Sequence, residues 1–116
     1  MGLSKELRIR KTADFNYIAE NGKVVSNRIL ILKWSDGKTS RSRSGFAVSK
    51  RIGGAVVRNR IKRLLRESIN SFDLLGGYDM VFIARKESAK ADYGSIQKSV
   101  KDALRKSGIL KPELPA

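Results

Sequence analysis

Arg58, Asn59, Arg60, Lys62, Arg63 and Arg66 fall within nine residues, and no acid lies between Lys50 and Arg66. Side chains of these types do not cleave or transfer groups on their own. They bind anions, and arginine does so with parallel N–H donors that match a phosphate. Lys50 and Arg51 bring the run to seven cations. A solvated helix face ordinarily mixes its signs so that i,i+4 pairs form. This one forgoes them, and the uncompensated repulsion points to a polyanionic partner.

Read at about 100° per residue, the segment has two faces. Val57, Ile61, Leu64, Leu65, Ser68 and Phe72 share one arc, while Arg58, Asn59, Lys62, Arg63 and Arg66 lie roughly opposite, with Arg60 and Glu67 at the boundary. One side docks and the other presents charge. A membrane-surface helix has a similar pattern, but here the apolar arc is needed for the core of a small domain. Arg and Asn also read base edges in DNA. The preceding segment, however, reads as a strand and not as the first helix of a helix-turn-helix.

Residue types exclude much else. The 116 residues include no His and no Cys, which removes nucleophilic triads, zinc centres and disulfides. Gly53-Gly54 lacks the Gly-Lys-Ser/Thr ending of a phosphate-binding loop. Asp73, Asp79 and the other carboxylates are scattered, with no spacing that pairs them for two-metal or acid–base work. A hydrolase site borne by the protein itself is therefore not expected. The formal charge of +14 suits an acidic partner, and nucleic acid, anionic lipid and an acidic protein all satisfy it. No signal-peptide stretch or membrane span is visible, so a soluble, cytoplasmic protein without membrane contact is expected.

The elements that must position these cations belong to one domain, residues 1–116. Thr12 is placed to cap a first helix on which Phe15, Ile18 and Ala19 share a face, ended by Gly22. Residues 28–34 read as a strand, and Asp36-Gly37 favours a hairpin to a second strand over residues 45–50, antiparallel to the first. The Arg/Ser tract from Ser40 to Ser44 reads as a loop without specific function. Gly53-Gly54 opens the basic helix, expected over residues 55–72, and Tyr78 to Ala84 is a buried strand. Asp92 or Ser95 would cap a last helix with Ile96, Val100, Ala103 and Leu104 on one face, Gly108 would stop it, and Pro112 and Pro115 mark a loose tail. Trp34 and Phe46 read as core, whereas Phe15 stands between core and a stacking surface for an unpaired base. The fold class is α+β, a sandwich of one sheet with helices. A strand–helix–strand crossover between parallel neighbours would by default be right-handed.

The stretch Lys50-Arg51-Ile52-Gly53-Gly54-Ala55-Val56-Val57-Arg58-Asn59-Arg60-Ile61-Lys62-Arg63-Leu64-Leu65-Arg66-Glu67 closely resembles the signature of the bacterial ribonuclease P protein family. Similarity continues outside it: Leu7-Arg8 to Asp14-Phe15 and Gly22 resemble the family's first helix, Gly45 to Lys50 its strand before the signature, and Asp79 to Lys86 a later strand. The resemblance implies a protein that binds ribonuclease P RNA and precursor tRNA and supports removal of the 5′ leader. The RNA would do the chemistry with magnesium that it mainly binds itself, and the protein would be monomeric, one per RNA. Lys50, Arg51, Arg58, Asn59, Arg60, Lys62, Arg63 and Arg66 would face RNA. A cleft between the first helix and the sheet would take the leader, with Phe15, Lys33 and Lys86 along it. Ala19 and Lys33 stand where some members carry aromatics, so phosphate contact would take a larger share of leader binding here. The family also implies the order αβββαβα as a two-layer sandwich, a short strand near Lys23 to Ser26 and a left-handed βαβ crossover. The rivals are a general RNA-binding or ribosome-assembly protein and a stand-alone protein nuclease.

Overall fold

A computed structural model describes Arg8, Ile9 and residues 11–112; Leu7 and Pro115 lie outside the described residues. The elements run α1 (Thr12–Asn21), β1 (Lys23–Ser26), β2 (Leu30–Asp36), β3 (Arg43–Ala47), α2 (Ala55–Asn70), β4 (Tyr78–Ala84), a 3-10 turn (Lys86–Lys90) and α3 (Tyr93–Ser107). The expected order and the short strand after Gly22 are both present.

The four strands are ordered β1-β2-β4-β3. β1 and β2 are antiparallel, β2 and β4 are antiparallel, and β3 runs parallel to β4. The expected hairpin between β2 and β3 does not form, because β4 lies between them. Burial explains the exchange. Asp79 to Phe82 and Ala84 are buried, so β4 needs neighbours on both edges and cover on both faces. Nor is Asp36-Gly37 a hairpin turn: Asp36 ends β2 opposite Tyr78, and the Gly37 N–H donates to the Gly77 carbonyl at 2.7 Å, continuing the pairing with β4.

Alternation along the strands divides the core. Leu30, Leu32, Trp34, Met80, Phe82 and Ala84 face α2 and α3 and pack with Ile61, Leu65, Ile96 and Leu104. This is the two-layer sandwich. Val81 faces the other way and packs with Ile9 and Ile18, with Phe15 and Ile83 at the margin, so α1 covers part of the opposite face.

Thr12 does not cap α1: it is the first helical residue, and Lys11 occupies the cap without a side-chain bond. The Leu7-Arg8 resemblance to a first helix also stops short, since Arg8 is bridged in parallel to Ser44. α2 ends at Asn70 and not at Phe72, because the Ser71 N–H turns back to the Ser68 and Ile69 carbonyls and the Ser71 hydroxyl donates to Ser68 O. Asp92 caps α3 by accepting from Ser95 N–H at 2.8 Å, and Gly108 ends it with φ +80°. The residues just beyond Gly108 are not loose: Ile109 is buried, Leu75 N–H donates to its carbonyl at 2.8 Å, and Lys111 N–H donates to Asp73 O at 2.9 Å. An apolar residue one place past the cap is enough to pin the strand-like end against the loop before β4.

Candidate nucleic-acid interface

α2 docks through Ile61, Leu64, Leu65, Ser68 and Ile69, all buried. Asn59 and Arg63 are exposed on the other side, with Arg58, Lys62 and Arg66 half-buried along one flank. Lys50 and Arg51 are exposed in the turn that leads from β3 to α2, where Ile52 N–H closes onto Ser49 O at 3.0 Å. These seven residues therefore border one side of the molecule, from the end of β3 along α2. Arg60 departs from the group. It reaches the opposite flank and donates from Nη2 to the Ala91 carbonyl at 3.0 Å, tying α2 to the segment before α3.

None of Arg58, Lys62, Arg63 and Arg66 forms a salt bridge with a described carboxylate, whereas Lys38, Arg43 and Lys106 do. The Arg66 guanidinium lies 5.8 Å from the centre of the Phe46 ring. Burial, and then the nearby charge of Arg8, holds its pKa below the ordinary arginine value. Phe46 packs against the core as expected, stacked on Phe82 at 5.9 Å and 20°. Its second contact, beneath Arg66, has no signal in the strand pattern.

On the opposite face of the sheet, α1 packs over Val81 through Ile18, with Phe15 and Ile83 at the margin. Strand register sets Lys33 beside Val81 and Ile31 beside Ile83, and it sets Gly45 and Ala47 next to the same β4 residues. Phe15 lies on Gly45 so closely that a Cβ added there would stand 2.9 Å from Phe15 Cε2. A side chain at 45 would lift the ring, so glycine here is needed for close approach and not for backbone freedom. Lys33 donates from Nζ to the Ala19 carbonyl at 2.8 Å, which also puts a cation at the C-terminal end of α1. Lys86 is exposed just past the end of β4. Phe15 and Lys33 thus frame α1, while Lys86 marks the far end of the strand. Tyr17 points away and is 60% exposed.

A carboxylate pair that spacing concealed lies at the base of α1. Arg43 grips Asp79 with two bonds, 2.9 Å from Nε and 2.6 Å from Nη2, and stands 3.6 Å from Asp14, which also accepts from Lys38. Lys38 first, with Arg43 behind it, holds the Asp14 carboxyl below the usual carboxylate range. Asp79 in turn raises the Arg43 guanidinium. Two acids 65 residues apart in sequence give no local pattern, and their meeting depends on β4 taking its place beside β3. They bind α1 to the sheet next to Phe15. The Arg/Ser tract likewise has a structural task, since the Ser42 hydroxyl donates to Leu75 O at 2.7 Å and accepts from Tyr78 N–H at 3.0 Å.

A four-stranded mixed sheet with the cationic helix α2 on one side and α1 with Phe15 on the other defines a single-domain α+β protein with a strongly basic face. Comparison with known proteins gives the family. The Ribonuclease P family profile matches residues 3–108. The chain is 42% identical over 108 residues to the "Ribonuclease P protein component" of Caldanaerobacter subterraneus subsp. tengcongensis, covering 90% of this chain and 92% of that protein. The structure of Staphylococcus aureus RNase P protein matches with a TM-score of 0.82 at 33% identity, over 90% of this chain and 98% of that one. RNase P protein from Thermotoga maritima gives 0.76 at 26% identity, over 85% and 96%. The chain belongs to the ribonuclease P protein family, whose members serve tRNA 5′ processing with ribonuclease P RNA and precursor tRNA as partners.

Proposed function

We propose that this chain binds the catalytic RNA through the flank of α2 and holds the single-stranded 5′ leader of precursor tRNA in the cleft beside α1. The ribonucleoprotein then removes the leader and leaves the mature 5′ end. One observation carries the reading: the apolar arc of α2 is buried, while Arg58, Lys62, Arg63 and Arg66 have no described carboxylate in a salt bridge. Phosphates supply the missing charge. Lys50, Arg51 and Asn59 extend the same surface, and Arg60 holds the helix in place from its other flank.

In the cleft, Phe15 offers a ring face on which an unpaired base stacks. Lys33 retains donors beyond the one on Ala19, and Lys86 meets backbone phosphate at the far end. With Ala19 offering no second ring, charge contributes more of the leader affinity than stacking. Catalysis is assigned to the RNA. Asp14 and Asp79 are both engaged by cations, and no group of three His, Cys, Asp or Glu able to hold a metal gathers among the described residues. Magnesium is assigned to the RNA on the likeness to the family. Neutralising phosphates with fixed cations lowers the magnesium concentration at which the RNA binds substrate. One protein per RNA and a cytoplasmic setting complete the proposal; no helix among the described residues is long and apolar enough to cross a membrane.

The test is reconstitution with a ribonuclease P RNA at low magnesium. The protein should stimulate precursor cleavage, and Phe15→Ala should weaken precursor tRNA binding far more than mature tRNA binding. Arg63→Ala combined with Arg66→Ala should flatten the log–log salt dependence of RNA-subunit binding by about two units. RNA binding without stimulation would leave a general RNA-binding protein, and cleavage without added RNA would indicate a protein nuclease.

A further inference from the structure

Three arginines differ from the others. Arg43 has Asp79, Arg60 has the Ala91 carbonyl and Arg85 has the Asn27 carbonyl. Arg8, Arg58 and Arg66 each keep a buried Nε–H with no acceptor among the described residues. Buried polar groups are nearly always satisfied by protein, water or a bound ion, so at Nε these three guanidiniums are not held by the chain's own acceptors. Two of the three meet at one place. Arg8 is bridged to Ser44 at the outer edge of β3, and Arg66 crosses from α2 to lie over Phe46, two residues further along that strand. The platform is firm, because Phe46 is stacked on the fully buried Phe82. Arg8 is close enough to depress the Arg66 pKa, so two like charges share a partly desolvated corner. No described carboxylate forms a salt bridge with either.

We propose that Arg8 and Arg66 together bind one phosphodiester of the RNA subunit at the β3 edge, with Phe46 positioning Arg66. A phosphodiester has two non-bridging oxygens, one for each guanidinium, and its charge removes the repulsion between them. The inference rests on the assignment of the α2 flank to RNA. It adds a residue from outside the signature, a ratio of two arginines to one phosphate, and an aromatic residue that acts through Arg66. Arg58, with its own orphaned Nε–H on the same flank, continues the seam.

The experiment measures RNA-subunit affinity across a salt series for Arg8→Ala, Arg66→Ala and the double variant, with Arg63→Ala as a control for the helix face. Each single substitution at the pair should weaken binding about tenfold and flatten the salt slope by about one unit. The double variant should lose less than the sum of the two singles, and no more than about one slope unit in all, because both arginines act on the same phosphate. Phe46→Leu should mimic Arg66→Ala, and Phe46→Tyr should restore binding. Arg8→Ala should melt at the same or a higher temperature in low-salt buffer while binding RNA more weakly, a combination that loss of folding cannot produce. Inorganic phosphate should raise the melting temperature of the parent protein more than that of Arg8→Ala. Additive losses with two slope units in the double variant, or parental affinity in Arg8→Ala, overturn the shared phosphate. If Arg63→Ala also binds with parental affinity and slope, the assignment of the helix face itself fails.

Discussion

Gly45→Ala tests whether Phe15 forms the floor of the cleft. The added Cβ would stand 2.9 Å from Cε2 and 3.2 Å from Cδ2 of Phe15, and 3.5 Å from Ile9 Cβ. Carbon atoms prefer about 3.5–4.0 Å, so the ring must move by roughly 0.6 Å or more. Overpacking costs about 1–3 kcal/mol, at the low end here because a half-buried ring can swing outward. Replacing a strand glycine by alanine returns about 0.5–1 kcal/mol of backbone entropy, so the net change in stability is small. The ring's position carries the diagnosis. Precursor tRNA affinity should fall while mature tRNA affinity stays near its parental value. In a Phe15→Ala background the clash with the ring is absent, so Gly45→Ala should stabilise by about 0.5 kcal/mol. A double-mutant cycle by chemical denaturation should therefore give a coupling of about 1 kcal/mol. Zero coupling together with unchanged precursor binding would refute the placement of Phe15 on Gly45.

Asp14→Asn should alter the acid limb of stability. The folded Asp14 carboxyl titrates below its unfolded value of about 3.9, so its contribution is present above that pH and is lost as pH falls through the folded pKa. Melting temperatures between pH 2 and 6 should fall with acid more shallowly in the variant than in the parent; parallel curves would count against the Lys38 and Arg43 contacts. Arg60→Ala should cost roughly 1 kcal/mol through the lost bond to the Ala91 carbonyl and leave the salt slope of RNA binding near its parental value. A slope reduced by about one unit would place Arg60 on phosphate instead.

The basic helix was legible because its two faces repeat at the helical period and its charge has one sign. β4 was legible as a buried strand, from Met80, Val81, Phe82 and Ile83 in succession, but its neighbours were not. The Asp36-Gly37 signal is local and describes a turn, whereas sheet order depends on which strand most needs covering, and that favoured β4 over β3. The same long-range placement hid the Asp14–Arg43–Asp79 cluster and the meeting of Arg8 with Arg66. Arg60 stood at the boundary of the helical arcs, and the angle alone could not show that Ala91 would be within reach. Phe46 was rightly read as core, yet alternation along a strand says nothing about a guanidinium arriving from a helix.

The position of β4 also bears on how the protein is made. β3 has no ladder partner until residues 78–84 have been synthesised, apart from the single bridge to Arg8. The first two strands can pair as they emerge, but the helix with the cations is complete before the sheet on which it docks. On a ribosome, with several tens of residues of the chain already outside, that helix lacks its floor, and pairing across so long an interval is slow compared with local helix formation. The RNA-binding surface is therefore assembled late in translation, when the centre of the sheet closes, and chains released before Ala84 lack it.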